Sequence, residues 1–343
     1  MTSIPIEFLA LGLDCGRFFQ KRQNEYAGPC PFCRGRDRLV IFTNRPFPHW
    51  NWFCRKCGRN GWADQLNPRL REELTPELRA EYARKNQEAE IARKNAQAKA
   101  LAAYQKSQIW TKYHKNLTAE HRAWWRTQGI PDRWQDFWQL GYRPSLALNK
   151  TTHRVAYTIP KFDLVGVPVN MDYRIIDPPT EYGKYRPIRG LPVAPFISNP
   201  RMLDFDEVCI VEGSKKAMVL TCHNIMPESN LAIGIPSCNS WAGVEKIARK
   251  WETTVWVMLD HGAEKWAYRL ATAIGKHAIV VELPGKPDDM VLAGATRDDF
   301  LALMNTAEAK HPSPTNTAKH RTSGMKGIRS GRPEMVGDES APK

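Results

Sequence analysis

A chain of 343 residues is long for one hydrophobic core and comfortable for two or three folded units. With 42% hydrophobic and 25% charged residues it has a globular composition, and no run reaches the roughly 18 apolar residues of a bilayer span, which excludes a helical membrane protein and a wholly disordered one. The formal net charge of +14 points to polyanions as partners and to binding that weakens as salt rises.

Residues 1 to about 24 carry Ile6, Leu9, Leu13 and Phe18 near helical spacing and predict a short helix. That terminus lacks a cationic start before its apolar run and a small-residue cleavage site, so no secretory leader and a cytoplasmic location are expected. Residues 25 to 66 are rich in Cys, Gly, Arg and aromatics, with strand-like runs such as Leu39-Val40-Ile41-Phe42. From Pro68 to Tyr113 the composition turns to Ala, Glu, Lys, Arg and Gln with no glycine, which predicts a long solvated helix acting as a spacer. Its apolar residues are too sparse for a sustained coiled-coil seam.

The aromatic segment HRAWWRTQGIPDRWQDFWQLGYRP reads as compact and helical. From about 151 onward VAYTIPKF, VGVPVNMDYRII, EVCIVEG, NLAIGI, TTVWVMLD and HAIVVELP read as strands. KKAMVLTCH, SWAGVEKIARKW and AEKWAYRLATAIG read as helices between them, the pattern of a mainly parallel sheet. After about 305 the chain is poor in apolar residues and predicts a disordered basic tail. The expected organisation is α/β and multidomain: 1–66, a small cysteine-bearing ribbon; 67–115, a helical linker; 116–205 and 206–304, two parts of an α/β core; 305–343, the tail.

Cys30-Pro31-Phe32-Cys33 and Cys54-Arg55-Lys56-Cys57 form two CxxC knuckles about 20 residues apart. In a reducing compartment that spacing reads as zinc binding, because each turn offers two thiolates and two turns close a tetrahedron. Four sulfurs leave no open position, so the zinc is expected to be structural, and His49 is not needed as a ligand. Arg36, Arg38, Arg55 and Lys56 stand out in a basic surround suited to phosphates. Phe42, Phe47, Trp50, Trp52, Phe53 and Trp62 either stack on unpaired bases or form the little core a ribbon needs. The remaining Cys15, Cys209, Cys222 and Cys238 read as core residues.

CPFCRGRDRLVIF followed by WFCRKCGRNGWADQL resembles the amino-terminal zinc-binding domain of bacterial and phage DNA primases. The resemblance implies a domain that helps choose template in single-stranded DNA. Further along, VCIVEG ends a strand at Glu212 and VWVMLD ends another at Asp260. Carboxylates at strand carboxyl ends sit where α/β sheets hold ligands, and two of them can share Mg2+.

In this order the two motifs resemble the TOPRIM fold of primases and topoisomerases, and GKYRPIRG and LPGKPDDMVLAG are similar to further primase segments. By that resemblance Arg174 and Lys184 face nucleotide or template phosphates, and Glu212, Asp260 and Asp288 gather Mg2+ or Mn2+. The pattern departs from the family at Asp260-His261-Gly262, where a second Asp is usual, and at Lys216, where cellular primases are acidic. Glu264 or Asp289 are candidates for the missing oxygen, and Lys286 pairs with either a carboxylate or a phosphate.

The implied activity is template-directed joining of ribonucleoside triphosphates into primers for a phage, plasmid or other mobile element, with any replicative helicase a separate protein. The alternative is a degenerate TOPRIM and zinc-ribbon protein that binds single-stranded DNA as a replication accessory factor. A TOPRIM nuclease or topoisomerase is a third reading, for which no separate domain with a nucleophilic Tyr is evident.

Overall fold

The computed structural model describes residues 4–310 apart from 6, 46, 48, 67–75, 181–182, 203 and 228. Ile6, the first residues of the expected linker and the tail from 311 therefore lie outside the described residues. The chain divides into two units, Met1–Lys94 and Asn95–Lys343.

The first unit is an antiparallel meander of five strands in sequence order, β1 (Phe19–Arg22), β2 (Glu25–Gly28), β3 (Leu39–Phe42), β4 (Asn51–Cys54) and β5 (Asn60–Trp62). Side-chain alternation is clean on β4, where Trp52 and Cys54 point inward and Asn51 and Phe53 outward. The helix expected over residues 1–24 is corrected. Among the described residues of this stretch only α1 (Glu7–Ala10) is α-helical; Gly12 at φ 69° ends it and Asp14 then starts a 3-10 turn by accepting from the Gly16 N–H at 3.0 Å. Phe8 and Leu11 enter the core, while Leu9 is 61% exposed.

The spacer helix α2 (Pro76–Ser107) stops at Gln108, which sits at φ 45°, short of the expected end near Tyr113. One side of its last turns is not solvated. Tyr104 is buried and its hydroxyl donates to the Asn170 carbonyl at 3.0 Å. α3 (Ile109–Lys115) adds the buried Trp110, and α4 (Ala119–Thr127) and α5 (Asp132–Phe137) follow.

The next four strands, β6 (Gly141–Ala147), β7 (His153–Phe162), β8 (Pro168–Ile175) and β9 (Tyr185–Pro187), make their own antiparallel sheet in sequence order. This corrects the expectation of one mainly parallel sheet from residue 151. The turn between β7 and β8 is too short for a crossover, since Asp163 Oδ1 accepts from the Val165 and Val167 N–H groups and reverses the chain there.

The parallel sheet follows, with β10 (Phe196–Ile197), β11 (Glu207–Glu212), β12 (Leu231–Ile235), β13 (Thr254–Met258) and β14 (Ala278–Val280) in the order β10-β12-β11-β13-β14. All its pairings are parallel except that of β10. Apolar runs without polar alternation arise because both faces are covered. Cys209, Val211, Trp256 and Met258 pack on one face with α6 (Ser214–Cys222) and α10 (Arg297–Lys310). Val208, Ile210, Val255 and Val257 pack on the other with α7 (Val244–Ala248) and α8 (Glu264–Ile274). Each such aliphatic side chain contributes roughly 1.5–3 kcal/mol on burial.

α10 carries buried Phe300, Met304 and Ala307, so ordered packing continues past residue 305. No described helix is long and apolar enough to cross a membrane.

Strand order positions the site. From β11 the chain crosses by α6 to β12 on one side, whereas from β13 it crosses by α8 to β14 on the other. The adjacent carboxyl ends of β11 and β13 are thus a topological switch point, the crevice where open α/β sheets bind ligands.

Candidate metal centre and carboxylate edge

The four cysteine sulfurs at 30, 33, 54 and 57 lie within 4.8 Å of one another, with Cys33 and Cys54 Sγ at 3.5 Å. A tetrahedron with Zn–S of about 2.3 Å needs sulfurs roughly 3.8 Å apart. The local backbone explains the convergence. Arg34 at φ 54° closes the first knuckle, with its N–H donating to Cys30 O at 2.9 Å, and Gly58 at φ 70° closes the second by donating to Cys54 O at 2.9 Å.

Backbone N–H groups of Phe32 and Cys33 point at the Cys30 sulfur, and those of Lys56 and Cys57 at Cys54. Burial works to raise the Cys54 thiol, but the N–H groups and adjoining sulfurs outweigh it and bring it down to about 7. At Cys30 burial dominates and pushes the thiol up to about 12. This donor set fits a structural zinc, and His49 is not part of it.

The knuckles also aim the basic side chains. Arg34, Arg36, Arg38, Arg55 and Lys56 line an open concavity of about 640 Å³ with Gly35 and the single carboxylate of Asp37. The Arg38–Asp37 ion pair at 3.2 Å is more than half exposed and contributes about 0–1 kcal/mol, and Arg55 also pairs with Glu25 at 3.5 Å. All four basic residues singled out in the sequence are brought together.

The aromatics divide. Trp50 and Trp52 are core, with indole N–H groups donating to the Arg45 and Trp62 carbonyls at 2.8 Å, and Phe47 packs on Trp50. Phe53 and Trp62 are exposed. Phe32 was missed by the sequence reading: it stacks on Trp52 at 5.2 Å and is 42% exposed, with the Arg59 guanidinium 5.0 Å above its ring. Its position inside the CxxC turn, which has no core side, was the available signal.

At the switch point Val211 lies beside Met258; Glu212 ends β11 and Asp260 stands two residues beyond the end of β13, so the two carboxylates leave neighbouring strands without facing each other in register. Gly213 at φ 88° turns the chain into α6, and Gly234 on β12 lets that turn pass; a Cβ there would meet Gly213 O at 2.6 Å. Burial and then the charges of Glu212 and, more weakly, Asp260 raise the Cys238 thiol.

Two residues the sequence reading left without a role now matter. Lys216 Nζ donates to Asp260 Oδ2 at 2.9 Å, and Lys215 Nζ pairs with Asp288 Oδ2 at 2.7 Å. Asp288, in the first turn of α9 (Pro287–Leu292), is 3% exposed. The other oxygens, Asp260 Oδ1 and Asp288 Oδ1, are buried without a hydrogen-bond partner, and each such group costs about 1–3 kcal/mol.

Unpartnered buried carboxylate oxygens are the hard donors that Mg2+ or Mn2+ takes, so the chemistry of the edge fits a divalent cation. Among the described residues, however, the four cysteines are the group of three or more such side chains gathered closely enough to hold an ion; Glu212, Asp260 and Asp288 are not so gathered. Glu264 accepts from the Gly262 N–H at 2.7 Å and is committed to the turn, and Asp289 is exposed.

Arg174 is 6% exposed. Its guanidinium lies 4.3 Å over Trp124, donates from Nε to Tyr185 OH at 3.1 Å and from Nη2 to Gln128 Oε1 at 3.4 Å. Trp124 in turn stacks on Tyr157 at 3.9 Å. Lys184 is exposed, and burial followed by the charges of Arg174, Lys215 and Lys286 lowers its pKa against the opposing pull of Asp288. Lys184 therefore lies within electrostatic range of Arg174, Lys215, Lys286 and, among the edge acids, Asp288. Of the remaining cysteines, Cys209 and Cys222 are raised chiefly by burial and pack in the core, as expected.

No family model matches the chain, and no curated relative matches it by sequence. Among solved structures the chain is similar to the zinc-binding and RNA polymerase domains of the Aquifex aeolicus primase, at 17% identity and a TM-score of 0.46 over 88% of this chain and 82% of that one. It is similar to a DnaG primase catalytic domain bound to single-stranded DNA, at 13% identity and a TM-score of 0.47 over 63% and 83% of the two chains. The primase fragment of the bacteriophage T7 primase-helicase protein is similar at 12% identity and a TM-score of 0.40 over 83% and 99%. These are bacterial and phage primases, the family that the sequence motifs resemble.

Proposed function

We propose that this chain is a primase-like nucleotidyltransferase that binds single-stranded DNA and joins ribonucleotides into short primers for a phage, plasmid or other mobile element. The observation that carries this reading is the topological switch point where Glu212 ends β11 and Asp260 follows β13, with Lys215 on Asp288, Lys216 on Asp260 and Lys184 in the field of Arg174, Lys215, Lys286 and Asp288. Cations around an acidic edge suit a reaction whose substrates are triphosphates and whose transition state is a crowd of phosphoryl oxygens.

In this reading Glu212, Asp260 and Asp288 would hold Mg2+ or Mn2+, a cation that would supply Lewis-acid stabilisation of phosphoryl charge when bound. Arg174, pinned by Trp124, Tyr185 and Gln128, presents a fixed guanidinium, and exposed Lys184 contributes a mobile charge to phosphate. Residues 1–66 select the template strand through Arg36, Arg38, Arg55 and Lys56, residues 67–115 tether it, and 116–205 with 206–304 carry the reaction. A replicative helicase would be a separate partner, and the expected compartment is the cytoplasm.

The test is primer synthesis on single-stranded DNA with ribonucleoside triphosphates and Mg2+ or Mn2+. Wild type should make short RNA, and Glu212→Gln should lower the rate by about 100-fold or more. Equal background-level product from both proteins would sink the enzymatic reading.

A second reading, a non-catalytic single-stranded DNA binding protein, is favoured by Asp260-His261-Gly262, which lacks a second carboxylate, and by the lysine already on Asp260. It expects salt-sensitive DNA binding with no polymer formed.

A further inference from the structure

Lysines in the first turn of a helix oppose its dipole, since that end already carries partial positive charge. Lys215 and Lys216 occupy the first turn of α6, immediately after the Glu212-Gly213 turn. Both side chains are largely buried and each reaches a different carboxylate, Asp288 at 2.7 Å and Asp260 at 2.9 Å. Both acids keep their second oxygen buried and without a partner. Asp260 and Asp288 therefore have unused acceptors while their charge is already neutralised. A divalent cation entering this volume would meet two ammonium groups at close range in a poorly screened setting, where like-charge repulsion is strong. The three carboxylates also stand too far apart to share an ion as they are.

We propose that Lys215 and Lys216 form an ammonium latch: they hold Asp288 and Asp260 against divalent cations until a triphosphate arrives, then transfer to phosphate oxygens and free both carboxylates. The inference rests on the reading of this edge as a nucleotide and metal site, and adds that the two ligands bind with positive coupling. An ammonium is a compact charge on a flexible stem, suited to exchanging one anion for another. The crowding of Lys184 by Arg174, Lys215 and Lys286 means that an incoming polyphosphate relieves repulsion among cations already in place. Coupling is reciprocal, so metal also tightens triphosphate binding.

The test uses the full zinc-loaded chain. Mn2+ binding without nucleotide is followed by the electron paramagnetic resonance signal of free Mn2+, and inorganic triphosphate binding is measured by calorimetry in metal-free buffer. Lys216→Met and Lys215→Met should each raise nucleotide-free Mn2+ affinity about tenfold and weaken metal-free triphosphate binding about tenfold, within the usual range of coupling. Asp260→Asn in the Lys216→Met background should remove the gain.

Removing an ammonium leaves a buried acid unpaired, so folding is a risk in these variants. Wild type supplies the second measurement. It should bind triphosphate without metal, and Mn2+ only weakly without triphosphate. If wild type binds Mn2+ as tightly as the lysine variants, and Asp260→Asn abolishes that site, the latch is wrong while the metal site stands. If no protein in the series shows an Mn2+ site sensitive to Asp260→Asn, the reading of the edge as a metal site fails and takes the latch with it.

Discussion

The zinc ribbon and the carboxylate edge solve the same problem, the convergence of acidic side chains, in opposite ways. At the ribbon four sulfurs are drawn within 4.8 Å and the nearest backbone N–H groups are turned onto them, so the protein closes the shell from its own backbone. At the edge the acids stay apart, and Asp260 and Asp288 are each met by a lysine, a counter-ion on a movable stem. A permanent metal is built in by fixed geometry, whereas an exchangeable one calls for counter-charges able to leave.

The sharpest way to break that comparison is to take the zinc away. Apparent binding of a structural zinc is worth about 10–16 kcal/mol, which is folding free energy for a small ribbon. Cys54→Ser should release zinc, measured by elemental analysis, and expose the amides of residues 19–62 to hydrogen exchange. The strands β11 to β13, buried on both faces, should keep their protection. Simultaneous loss of protection in both would show that the two regions do not fold independently.

A second contrast lies within the α/β unit. Lys161 and Asp172 pair at 2.8 Å between β7 and β8 with 5% and 11% of their side chains exposed, and Lys161 also donates to Ala194 O at 2.9 Å. Unlike the lysines of the edge, this ammonium is tied to a backbone carbonyl as well as to its acid. Lys161→Met should therefore cost about 3–5 kcal/mol in chemical denaturation. Adding Asp172→Leu should recover much of it, since an apolar pair leaves no buried charge. A loss below about 1 kcal/mol would make this pair resemble a surface one.

How legible each region was follows the same division. The ribbon could be read because CxxC spacing is a local instruction: two turns of known geometry specify the ligands without knowledge of the rest. Glu212 was legible as a strand-end residue because both-face burial leaves a continuous apolar run that stops at a carboxylate, whereas β13 stops at Met258, two residues before Asp260. The lysines on Asp260 and Asp288 were not legible, since pairs 44 and 73 positions apart depend on strand order, which periodicity does not encode. The antiparallel sheet at 141–187 was blurred for a related reason: the residues that join β7 to β8 reverse the chain through one Asp side chain. At the amino terminus, Gly12 and Asp14 overrode a spacing that looked helical.

The basic face of the ribbon offers a finer test of whether the zinc knuckles serve more than stability. Arg55→Ala and Lys56→Ala lie beside ligand cysteines yet point into the concavity. Each should weaken single-stranded DNA binding uniformly across sequences and reduce the slope of log affinity against log salt by about 0.7, at unchanged zinc content. An unchanged slope would assign DNA binding to the other unit.

The smallest expected effect concerns Lys184, and its sign is diagnostic. Burial, Arg174, Lys215 and Lys286 hold its pKa below the usual lysine value in the folded protein. The unfolded chain therefore retains that proton to higher pH, and stability should rise as pH climbs through the lowered pKa, because deprotonation relieves the crowding of cations. Triphosphate binding runs the other way. A polyanion favours the charged ammonium, so affinity should be full below the lowered pKa and decline as pH rises through it. Lys184→Arg, which stays charged, should flatten both curves. Affinity and stability moving together with pH would place Lys184 outside the phosphate field and reduce the cations at the edge to those carried by Arg174, Lys215, Lys216 and Lys286.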